Sequence, residues 1–105
     1  LWQVRARHVI HATGAIERPL PFAGNDRPGV MLADAARIYA TRYAVLPGRR
    51  VAACVAHDGG YGAAFALHEA GAGIAALLDL RPEPPPALLD EARQRGIPVL
   101  AAHGI

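Results

Sequence analysis

Apolar positions recur along the chain in two rhythms, one of period two and one near period four. Residues 1–5 and 7–12 alternate or run apolar, with β-branched Val9 and Ile10, and predict two short strands. Residues 17–30 carry Pro19, Pro21, Gly24, Pro28 and Gly29 and predict a loop, because proline withholds a ladder donor and restricts its predecessor. Residues 31–45 predict a helix with Leu32, Ala36, Tyr39 and Tyr43 on one face, ended by Pro47-Gly48. The opening Leu1-Trp2-Gln3-Val4 reads as mid-sheet, which suggests a piece of a longer polypeptide.

From residue 50 onward the pattern alternates strand and helix. Residues 50–56, 74–79 and 97–102 predict buried strands, and 61–70 and 87–95 predict helices. The first of these helices offers a small packing face, Ala63, Ala64, Leu67 and Ala70; the second turns Leu88, Leu89 and Ala92 inward and pairs Glu91 with Arg95. A β-α-β-α-β series implies an α/β fold with a parallel sheet, flanking helices and right-handed crossovers. Three such strands with two helices form a Rossmann-like mononucleotide half.

Composition removes several chemistries. All 11 basic residues are arginine, no lysine or serine occurs, and there is one cysteine. Serine nucleophiles, Schiff-base lysines, internal disulfides, dithiol redox pairs and multi-cysteine zinc sites are therefore excluded. Cys54 lies among Val51, Ala52, Ala53 and Val55 and reads as a buried thiol of a cytoplasmic protein. A net charge of +2 with scattered arginines and 6% aromatics argues against nucleic acid. No apolar run approaches the roughly 20 residues of a membrane helix, and no secretion signal opens the chain. The histidines show no metal-ligand spacing, and no complete catalytic set is visible.

A Rossmann-type half should carry G-x-G-x-x-G at its first strand-helix turn, where glycines let backbone approach a pyrophosphate. Aligned by strand and helix, that turn is Val55-Ala56-His57-Asp58-Gly59-Gly60, and only the third glycine position, Gly60, is kept. His57 brings a side chain where bare backbone is needed, and Asp58 brings negative charge to a helix start that would otherwise attract an anion. Gly71-Ala72-Gly73-Ile74-Ala75-Ala76 matches the pattern as text but follows a helix and opens a strand, the reverse of the working order. Asp79 ends the second strand 19 positions after Gly60, near the spacing of a carboxylate that binds the adenosine ribose. Two readings of Asp79 stand: ribose binding, or a strand-end carboxylate that is paired with Arg81 or solvated.

Residues 7–19, Arg7-His8-Val9-Ile10-His11-Ala12-Thr13-Gly14-Ala15-Ile16-Glu17-Arg18-Pro19, resemble the A-T-G segment of two-dinucleotide-domain flavoproteins. Residues 22–33, Phe22-Ala23-Gly24-Asn25-Asp26-Arg27-Pro28-Gly29-Val30-Met31-Leu32-Ala33, are similar more specifically to the alpha subunits of heterotetrameric sarcosine oxidases and their opine oxidase and hydrogen cyanide synthase relatives. Leu78-Asp79-Leu80-Arg81 and residues 95–100 fit the same family. The resemblance implies that residues 1–30 are the end of a first dinucleotide domain plus a crossover, and 31–105 an NAD(P)-binding-like domain. It implies a parent oxidoreductase that demethylates sarcosine or a related N-alkyl amino acid, with NAD and/or FAD as cofactors and other subunits of a hetero-oligomeric oxidase as partners. Ala12, Thr13 and Gly14 then either touch a cofactor through backbone or form a turn between domains, and Gly59, Gly60 and Asp79 mark the second, degenerate site. A non-catalytic Rossmann-like interaction module, or the NAD(P)H domain of another flavoprotein, are the competing readings; the missing C-x-x-C speaks against the disulfide-reductase branch.

Overall fold

The computed structural model describes residues 1–105, and its elements follow the helix-then-alternation plan: α1 Ala33–Tyr43, β1 Arg50–Val55, α2 Asp58–Glu69, β2 Gly73–Asp79, α3 Pro86–Gln94 and β3 Val99–Ala101. The three strands form one parallel sheet in the order β1-β2-β3. This is the α/β, Rossmann-like arrangement that alternating strand and helix periods dictate. Val51 pairs with Ile74 and Ala52 with Ala76, so Ala75 of β2 is an extra residue that bulges the ladder.

The core lies where α2 covers the sheet. Tyr61 and Leu77 are wholly buried, and Val55, Ala64, Phe65, Leu67, Ile74, Ala92 and Ile97 close around them. The Arg95 guanidinium stands 4.7 Å from the centre of the Phe65 ring and bonds Glu69 at 2.7 Å and Glu91 at 2.8 Å, fastening α2 to the end of α3.

Helix α1 packs on α2. Its inward stripe is Ala36 and Ala40, whereas Tyr39 and Tyr43 lie outside, their rings 6.2 Å apart. The predicted face is thus half right: small residues let two helices approach closely, and tyrosine rings at that contact would hold them apart.

The two strands predicted at 1–5 and 7–12 do not form. Leu1, Trp2, Val4, Val9 and Ile10 are all exposed. Extended propensity alone does not make a strand; ladder bonds to a neighbour do, and no strand lies beside this segment. Helix α2 also begins at Asp58 rather than 61, taking Gly59 and Gly60 into its first turn.

Candidate functional site

The candidate site sits at the carboxyl ends of β1 and β2, where a Rossmann-like sheet receives a nucleotide. Five residues singled out in the sequence meet there or nearby: His57 and Asp58 at the start of α2, Gly59 and Gly60 in its first turn, with Asp79 closing β2. Ala12, Thr13 and Gly14 lie in the exposed N-terminal segment, and Gly14 has a positive φ of 66° with open space where a β-carbon would be.

Gly60 is required by packing. A β-carbon there would run into Cγ1 of Val55 and stand 2.7 Å from its Cβ. It performs the third-glycine task of a dinucleotide turn, bringing helix against strand. The two positions that would admit a pyrophosphate are filled. His57 is the N-cap of α2, and its Nδ1 accepts the N–H of Gly59 at 3.1 Å, so a donor that a phosphate would use already has a partner. The N–H of Gly60 bonds the His57 carbonyl.

Asp79 is the one buried carboxylate, with no exposed surface. Its Oδ1 accepts from the backbone N–H of Arg81 at 2.9 Å and from Nε at 3.0 Å. Its Oδ2 accepts from the Tyr61 hydroxyl at 2.8 Å and from Nη2 of Arg81 at 2.9 Å. The same guanidinium sends Nη1 to Asp58 at 2.7 Å. The hydrogen bonds from Arg81 hold the Asp79 carboxyl down to about 2, against the opposing effect of burial. Burial, then the bond to Asp79, pushes the Tyr61 hydroxyl up to about 12. Asp79 is thus an ionised acceptor whose bonds are made inside the chain, and the residues at this turn do not fit a bound dinucleotide.

Two sets of contacts had no sequence signal. Tyr61 and Asp58 join the cluster from 18 and 23 positions away. Glu17 reaches α1 from the loop side, its Oε1 and Oε2 accepting the N–H groups of Ala33 at 3.0 Å and Asp34 at 2.8 Å. That carboxylate caps a helix whose own N-cap, Leu32, supplies none.

A groove of about 670 Å³ runs between residues 17–33, α1 and β1 and includes none of the cluster residues. Cys54 lines it; burial, then the charge of Asp79, pushes its thiol up, away from the reactive thiolate. No trio of histidine, cysteine or carboxylate stands close enough to hold a metal ion, and no helix is long and apolar enough to cross a membrane.

No protein-family model matches the chain. Among curated proteins, it is 51% identical over 82 residues to the sarcosine oxidase subunit alpha of Rhizobium meliloti (strain 1021), a stretch that is 78% of this chain and 8% of that protein. The sarcosine oxidase subunits alpha of Corynebacterium sp. strains U-96 and P-1 are 41% and 42% identical over 81 residues, 77% of this chain and 8% of each. The chain therefore spans about 8% of the length of these relatives. By these identities the chain belongs to the sarcosine oxidase alpha subunit family, as a relative of one short segment of those proteins.

Proposed function

We propose that this chain serves as a segment of a flavoprotein oxidoreductase subunit of the sarcosine oxidase alpha type, whose parent enzyme oxidatively demethylates sarcosine or a related N-alkyl amino acid within a complex of several subunits. Identity to the three alpha subunits supports the family half of this reading. Within it, residues 31–105 act as the second, NAD(P)-binding-like domain, and residues 1–30 as the end of the first domain and the crossover, with Ala12, Thr13 and Gly14 offering backbone to a cofactor held mainly by the parent. The second domain is a scaffold and does not carry the NAD or FAD of the parent. The observation that carries this is the His57 cap on Gly59, which fills the phosphate position of the turn. Gly59, Gly60 and Asp79 keep the places of a nucleotide site without its open acceptors and donors.

Calorimetric titration of the chain with NAD and with FAD tests the scaffold role. Neither cofactor is expected to bind with micromolar or tighter affinity, and such binding of either overturns the reading.

A further inference from the structure

We propose that Arg81 is a plug for a latent ribonucleoside site, its guanidinium lying where the diol of a ribose would meet Asp79. The inference rests on the scaffold reading but on other residues. The His57 cap explains why a phosphate is refused, and it leaves open a nucleoside that carries none. The clasp around Asp79 closes that route as well.

The accounting is by donors and acceptors. A carboxylate offers about four lone-pair sites. All four of Asp79 are taken, two by the guanidinium, one by the backbone N–H of Arg81 and one by Tyr61. Asp79 is fully buried, while the Arg81 side chain keeps 29% of its surface exposed, so the arginine is the group between the carboxylate and solvent. Through Asp58 the same arginine ties the end of β2 to the start of α2. Those are the two elements that a nucleotide bridges when one binds this fold. Arg81 thus makes from within the connection that a ligand would make from without. The Asp58 end is exposed and the lighter anchor; the Asp79 end is shielded and holds the plug.

The variant Arg81→Met keeps an unbranched stem, removes every guanidinium donor and leaves Asp79 its bonds to Tyr61 and to the backbone. Saturation-transfer NMR with adenosine and 2′-deoxyadenosine at millimolar concentration reads the result, with far-UV circular dichroism reporting the fold. The unaltered chain is expected to show no saturable binding of either nucleoside. Arg81→Met is expected to bind adenosine, and roughly tenfold more tightly than 2′-deoxyadenosine, since only the ribose supplies the 2′-hydroxyl that completes the diol facing Asp79. Adenosine binding with a 2′-hydroxyl preference in the unaltered chain overturns the proposal. So does a folded Arg81→Met that gains no such preference. Should Arg81→Met fail to fold, Arg81→Lys decides in the same assay: its ammonium keeps the charge but lacks the planar fork that spans Asp79 and Asp58 at once, a gain in adenosine binding is expected, and its absence is contrary. Calorimetry with NAD separates the two readings, because a chain that refuses NAD while Arg81→Met refuses adenosine loses the plug and keeps the scaffold.

Discussion

At the scale of single residues, the Asp79 clasp makes a pH-dependent contribution whose sign is fixed. The carboxyl lies at about 2 in the folded chain against an ordinary 3.8. A lowered folded value adds stability that is complete above the unfolded value and is lost as pH falls through the folded one. The difference corresponds to something on the order of 2 kcal/mol. Chemical denaturation from neutral pH down to about 2 should therefore show the chain losing that increment mainly below its ordinary value of 3.8, while Asp79→Asn, which has no carboxyl there to protonate, shows a shallower decline. Parallel declines would remove the clasp from the account. Part of this was legible in the sequence: Asp79 and Arg81 are two apart at a strand end, and their pairing stood beside solvation as the alternative to ribose binding. Tyr61 and Asp58 were not legible as partners, because only the parallel alignment of β1 with β2 and the placement of α2 bring them to the same carboxylate.

At the scale of elements, two contacts decide where helices begin. Gly60 reads locally as a turn residue, and glycine is a poor helix former. It nevertheless sits in the first turn of α2 because the helix must lie against Val55. Gly60→Ala should destabilise the chain by about 1–3 kcal/mol through overpacking. Thermal unfolding checks this, and Val55→Ala in the same chain should recover much of the loss, which a purely local propensity effect would not allow. Glu17 sets the start of α1 in the same long-range way. Removing it by Glu17→Ala should cost roughly 1 kcal/mol, the size of a lost cap. Hydrogen exchange should quicken at Ala33 and Asp34, the two amides it accepts from, and leave α3 unchanged. Helix and strand periods after residue 31 were readable because the helices and the first two strands are long enough to show their rhythm; β3, with three residues, is shorter than the strand expected at 97–102. The strands expected at 1–12 were misread for the opposite reason: their side chains favour extension, yet the ladder they need belongs to a neighbour the local pattern does not contain.

At the scale of the whole molecule, the chain is drawn out. Its radius of gyration is 16.6 Å, against about 13 Å for a compact chain of this size. The first 16 positions are all exposed, beside a sheet-and-helix body whose core gathers around Tyr61 and Leu77. That body has the layout of a nucleotide domain and the chemistry of a closed one. Strand order, strand direction and the packing glycine are all retained, and the acceptors and donors that would meet a cofactor are spent on one another. The layout was foreseeable from alternation alone; the closure was foreseeable only at His57 and Asp58, where side chains replace bare backbone. The most direct measurement is an amide-resolved NMR titration of the chain with NAD, followed at Gly59 and Gly60. The account predicts that both resonances stay where they are, because the Gly59 N–H is held by His57 and the Gly60 N–H by its carbonyl. Saturable shifts of these two amides at micromolar NAD would contradict it.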